Sequence, residues 1–164
     1  MDKLALELIT LLRDMLASQQ RLLQIALLRQ DAMRSFDIER LNVLHEQERT
    51  ETQKAESFDN RRTVLIQRFR PLLPANLQPG VSEIARRCQE PVKSQLLALA
   101  GRLRAVVEQL DRHTRINAKV SETVVTGLAK VLKVMTGLAQ HAGLYMRNGR
   151  KAALKGIHLL EVTG

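Results

Sequence analysis

Apolar residues in the first segment fall at Leu4, Leu8, Leu11, Met15, Leu22 and Ile25, in alternating steps of four and three with Ser18 at the missing position. Leu12, Leu16, Leu23 and Leu27 form a second stripe beside the first. Two adjacent stripes give an apolar face wider than a two-helix seam, so this helix packs on more than one neighbour. The spacing predicts a helix from about Lys3 to Arg34, followed by Ser35 or Asp37 as a cap for the next. A second helix is predicted from Asp37 to Arg70. Its middle, from Gln47 to Asn60, offers only Ala55 and Phe58 as clearly apolar residues, which suggests a solvated projection or a frayed stretch. Apolar spacing resumes at Phe58, Leu65, Phe69 and Leu72. Pro71 and Pro74 then stop the helix, because proline lacks the amide donor and disfavours helical geometry in the residue before it.

The third segment is the most regular. Val92, Leu96, Leu99, Leu103, Val106, Leu110, His113, Asn117, Val120, Val124, Gly127, Val131, Val134 and Leu138 follow one another in steps of four and three without an error. This is a coiled-coil-type seam, about 70 Å long at 1.5 Å per residue. A kink is expected near Glu90–Pro91. His113 and Asn117 occupy adjacent seam positions, and polar groups there specify register or partner at a cost in stability. They either face water along a half-covered seam or border a groove left open for another protein's helix. The fold class is therefore all-α: an elongated antiparallel helical bundle or coiled coil of three long helices. Residues 1–142 form the bundle domain. Residues 143–164, punctuated by Gly143, Gly149 and Gly156, form a flexible basic tail.

Composition agrees with this and removes alternatives. Of 164 residues 45% are hydrophobic but only 2% aromatic, so the core is aliphatic. Eight glycines and four prolines are too few for the frequent turns of a sandwich or barrel. The net charge of +9 is uneven, about +1 over residues 1–75 and about +8 over residues 76–164, so an electrostatic partner would meet the second half. That half includes Arg86, Arg87, Lys93, Arg102, Arg104, Arg112, Arg115 and Lys119. Nucleic-acid binding is nevertheless disfavoured, since bases find almost no aromatic platform and no helix-turn-helix or basic zipper is evident. One cysteine, Cys88, excludes an internal disulfide and a multi-cysteine zinc site. Asp2, Glu7 and Arg13 interrupt the opening apolar pattern, which does not read as a secretory signal, and no stretch suits membrane insertion. A cytoplasmic protein is expected.

Catalytic signatures are missing. There is no phosphate-binding glycine loop, and His45-Glu46 lacks the second histidine of a zinc helix. His45, His113, His141 and His158 are dispersed without a second ligand at helical spacing. No enzyme, metal or cofactor is expected.

The plan of a long Leu-rich helix, a second start at Asp37-Ile38-Glu39-Arg40-Leu41, a Pro/Gly break and a long third helix resembles FlgN-type flagellar export chaperones. Gln89-Glu90-Pro91 followed by Leu96 and Leu103, the stretch Arg115-Ile116-Asn117, and Tyr145-Met146-Arg147-Asn148-Gly149-Arg150 are also similar to that family. His113 departs from it by replacing a second Asn. The resemblance implies a cytoplasmic chaperone that binds hook–filament junction proteins, shields their apolar terminal helices and delivers them to the type III export gate. On it, Asn117, Val120, Val124, Leu128, Val131, Met135 and Leu138 bind the substrate helix, and Tyr145, Arg147 and Arg150 dock the tail. The other readings are a helical coiled-coil adaptor or structural protein and, behind it, a basic nucleic-acid-binding protein. The seam is long enough to close within one chain or between copies of it.

Overall fold

A computed structural model of the chain describes residues 2–74 and 79–142, with side chains for 3–74 and 79–137. Among the described residues there is no strand. Helix α1 spans Asp2–Arg34, α2 Ile38–Gln67, α3 Val81–Arg86 and α4 Val92–Ala142. Three are long and α3 is a single short piece between them. The expected tail, 143–164, lies outside the described residues.

The turn after α1 is three residues long. Phe36 takes a left-handed backbone (φ 54°), which lets Asp37 N–H donate to Ala32 O at 3.0 Å and closes the end of α1. Asp37 then caps α2: its Oδ1 accepts from the Arg40 amide at 2.9 Å. Helix α2 ends at Gln67, three residues before the expected Arg70, and Pro71 sits early in a 3-10 turn over Arg70–Leu72, where its missing amide costs nothing. The expected kink at Glu90–Pro91 is a full break: α3 stops at Arg86 and α4 starts afresh at Val92. Glu90 caps the new helix by accepting from the Ser94 amide at 3.2 Å.

Within residues 1–120, side-chain contacts fix the directions of the helices. Arg68 meets Glu7 at 3.3 Å and Arg21 meets Glu51 at 3.6 Å, so α2 runs antiparallel to α1. Arg13 donates to Gln95 at 3.4 Å and Gln30 meets His113 at 3.1 Å, so α4 runs parallel to α1. The result is an up-down-up bundle. Its core joins Leu8 and Leu12 of α1, Leu65 of α2, Phe69, Ile84 of α3, and Leu96 and Leu99 of α4. All of these but Ile84 are residues that the apolar spacing selects.

The middle of α2 is continuous and mostly exposed helix, one of the two expected readings, but Glu51 is buried within it. Leu44, Glu51, Phe58 and Leu65 lie seven residues apart, one inward-facing line in which a carboxylate replaces a leucine.

By contacts, the chain divides into a unit of residues 1–120 and a unit of residues 121–164. The division falls inside α4. No helix among the described residues is long and apolar enough to cross a membrane.

Candidate functional site: the apolar face of the last helix

The fourteen seam positions of α4 meet two different environments. From Val92 to Asn117 they are buried or half-buried, with Leu96 at 0% and Asn117 at 4% exposure. Beyond Asn117 the same periodicity leads to open surface. Val120 is 38% exposed, Val131 54% and Val134 61%, and Val124 is half-buried. Beside these seam positions Val125, Leu128, Leu132 and Met135 are exposed. Leu138 lies in α4, but its side chain is outside the described set, as are Tyr145, Arg147 and Arg150 altogether.

At ~100° per residue, Val131, Val124, Met135, Leu128, Leu132 and Val125 follow one another around the helix within an arc of about 120°. Glu122, Lys130 and Lys133 lie on the other side. Exposed apolar residues in ones and twos are ordinary; a contiguous stripe of six is the kind of surface that marks an interaction site. Gly127 and Gly137 have open space where a Cβ would stand, so small size is not imposed on them by packing inside the chain.

Asn117, which sequence reasoning placed in the substrate-binding set, is turned inward. Its Nδ2 donates to the Ala26 carbonyl at 2.8 Å, tying α4 to α1. Its Oδ1 is buried without a hydrogen-bond partner. His113 is half-buried against Gln30. The two polar seam positions thus serve α1 in this chain rather than lining the open face.

Two buried polar residues escaped the sequence reading as a pair. Ser18 is 1% exposed and Glu51 6%, and both sit where α1 and α2 face each other. Burial pushes the Glu51 carboxyl up. The Lys54 and Ser18 side chains and the charges of Lys54 and Arg21 outweigh it, holding the group below its ordinary 4.5. Neither Ser18 Oγ nor Glu51 Oε1 completes a hydrogen bond of good geometry, so the hydroxyl acts as a neighbouring dipole. The seven-residue spacing through Glu51 was the signal that could have found it.

The remaining candidate chemistry is scattered. Cys88 is buried, and its thiol faces the Ile84 carbonyl at 3.3 Å. Arg86 and Arg87 are both paired with Glu83, and Arg115 with Asp111, so part of the basic charge of the second half is balanced locally. Among the described residues no three His, Cys, Asp or Glu side chains converge on a metal position.

The exposed apolar stripe of α4 is the candidate interaction surface among the described residues. Neither a curated protein nor a solved structure matches the chain. A family does: residues 1–153 match the family described as FlgN protein, and the chain belongs to that family of flagellar export chaperones.

Proposed function

We propose that this chaperone acts in the cytoplasm, without catalysis, on hook–filament junction proteins, covering their apolar terminal helices until the type III export gate takes them. The observation that supports this reading is the stripe on α4: Val120, Val124, Leu128, Val131 and Met135, continued in sequence by Leu138, present an apolar face without a charged residue on it. A terminal assembly helix exposes the complementary apolar face before it polymerises. Burying such a face needs no nucleotide or metal, and its strength comes from apolar area. The tail residues Tyr145, Arg147 and Arg150 would add contacts to the substrate or to export-gate components.

The test is capture of hook–filament junction proteins from the cell's own lysate at about 0.15 M salt, where exposed charges are screened beyond roughly 8 Å. The wild-type chain should recover them. Val124→Asp combined with Val131→Asp should not, while keeping its helicity and thermal midpoint, because neither side chain belongs to the buried core. Equal recovery by both proteins would remove the stripe as the binding face. Recovery only of unrelated folded proteins would remove the chaperone assignment to these substrates.

A further inference from the structure

We infer that α4 is a releasable strap: rooted in the core at Leu96 and Leu99, it detaches from α1 around Asn117 while α1, α2 and the core stay folded. The inference goes beyond the docking reading and needs no partner. Its first ground is where the burial of α4 stops. Leu96 and Leu99 are buried in the common core, and Leu103 and Val106 pack against it. After Leu99, Asn117 is the one buried residue of α4 among the described side chains. Leu110 and His113 are half-buried and Val120 is exposed. An apolar root is thus followed by a stretch held at a single buried point, and that point is polar.

The second ground is the chemistry of that point. Asn117 Nδ2 donates to the Ala26 carbonyl at 2.8 Å while its Oδ1 has no partner, and Gln30 meets His113 at 3.1 Å one turn away. Closure therefore makes one amide hydrogen bond and leaves an acceptor dry. Release gives both ends of the Asn117 amide to water. The Ala26 carbonyl, inside α1, keeps its place in the helical ladder. A buried group that regains its full hydrogen bonding in water favours release over closure.

The third ground is the asymmetry of the bundle. Helices α1 and α2 are the closely packed pair, and α4 stands farther from both. The core takes residues 5–16 of α1; near the latch α1 offers Leu22 and Ala26, buried but outside that core. Ser18 Oγ, Arg29 Nε and Glu51 Oε1, also buried without hydrogen-bond partners, lie at the same end. Few buried apolar contacts and incompletely satisfied polar atoms distinguish a segment that opens locally from one that opens only with the whole fold. Release uncovers Ala26 on α1 and Leu110 on α4, surface that the closed bundle hides.

The experiment is thiol labelling of the folded full-length chain with excess N-ethylmaleimide, each cysteine followed by mass spectrometry of its own peptide. Cys88, buried in the core, is the internal reference. Ala26→Cys places a reporter under the strap, about 40° around α1 from Gln30. Ala32→Cys places one on the α2 side, about 20° around α1 from Arg21. Each rate is divided by that of the same thiol in the unfolded chain. Position 26 should label roughly a hundredfold faster than Cys88, and position 32 should stay near the Cys88 rate. Dilute urea, below the unfolding transition, should raise the Cys88 rate steeply and that of position 26 little, because release exposes less surface than unfolding. Adding Asn117→Leu, which replaces the half-satisfied latch with an apolar one, should slow position 26 at least about tenfold. Should Ala26→Cys lose the helical signal of the folded chain, Leu22→Cys, one turn back and also buried, takes its place.

Labelling of position 26 at the Cys88 rate, with the same urea dependence, would overturn the inference, since α4 would then leave α1 only when the bundle unfolds. Rapid labelling at position 26 that Asn117→Leu does not slow, or equally rapid labelling at position 32, would overturn it too, by showing an opening other than release of α4. None of these outcomes depends on what the exposed face of α4 binds, so the chaperone reading stands or falls separately.

Discussion

Replacing Asn117 with leucine should stabilise the bundle. Asn117 is 4% exposed; its Nδ2 makes one hydrogen bond, to the Ala26 carbonyl at 2.8 Å, and its Oδ1 makes none. A buried acceptor without a partner costs about 1–3 kcal/mol, and the single bond that is made contributes about 1 kcal/mol. Leucine has nearly the same size and shape. It removes the orphaned oxygen and adds apolar burial worth about 1–2 kcal/mol. Ala26 lies inside α1, so its carbonyl keeps its own helical acceptor role when the Asn amide is gone. The balance favours the variant by about 2 kcal/mol. For a unit of this size that is a rise of roughly 5–10 °C in the thermal midpoint, measurable by circular dichroism and by the urea midpoint at constant slope. A loss of more than about 1 kcal/mol in Asn117→Leu would refute the reasoning: Oδ1 would then have a partner in the folded protein, such as a trapped water.

Other substitutions test the rest of the bundle. Phe69→Ala, at a 0% exposed position, should cost about 3–5 kcal/mol by denaturant titration; a cost below about 1 kcal/mol would mean the α2 end is loosely packed. Phe36 is 71% exposed at φ 54°. Phe36→Gly should therefore gain about 0.5–1 kcal/mol, the left-handed strain relieved less the added freedom of the unfolded chain. A loss there would show that the phenylalanine ring holds the turn. Glu51 titrates below its ordinary 4.5, so its contribution to stability is present above that value and is lost as pH falls through the lower, folded value. Glu51→Gln should lower stability near pH ~7 and flatten the acid limb of a stability profile taken below about pH 4.5. An unchanged limb would place the acid sensitivity elsewhere.

The long helices were legible because aliphatic residues at steps of three and four leave few alternatives: the first predicted helix, Lys3–Arg34, differs from α1 by one residue. The cap of α2 was legible as one of two residues, Ser35 or Asp37, since a short polar side chain there satisfies an orphaned amide, and Asp37 is the one that does so. The middle of α2 was not. A glutamate at an inward position looks like a solvated residue unless its neighbours seven positions away are counted, and its partner Ser18 lies on another helix. Pairing of that kind is a tertiary fact: Glu51 is tolerated inside because Lys54 and Arg21 reach it from the surface.

Asn117 shows the same gap in the opposite direction. Its place in the seam was plain, but whether it faces a partner or α1 depends on where cover is available. The repeat in α4 carries no mark of that change, since Leu96, Leu103, Val124 and Val131 obey one rule. Helix length supplies what periodicity lacks. Helix α4 has 51 residues, whereas α1 has 33 and α2 has 30. At about 1.5 Å per residue, α4 is longer than α1 by about 27 Å and longer than α2 by about 32 Å. The sequence nevertheless stays aliphatic through Met135, where a solvated helix would be expected to turn polar all round. An exposed apolar repeat of this kind is the feature that the paired Val124 and Val131 substitutions put to the test.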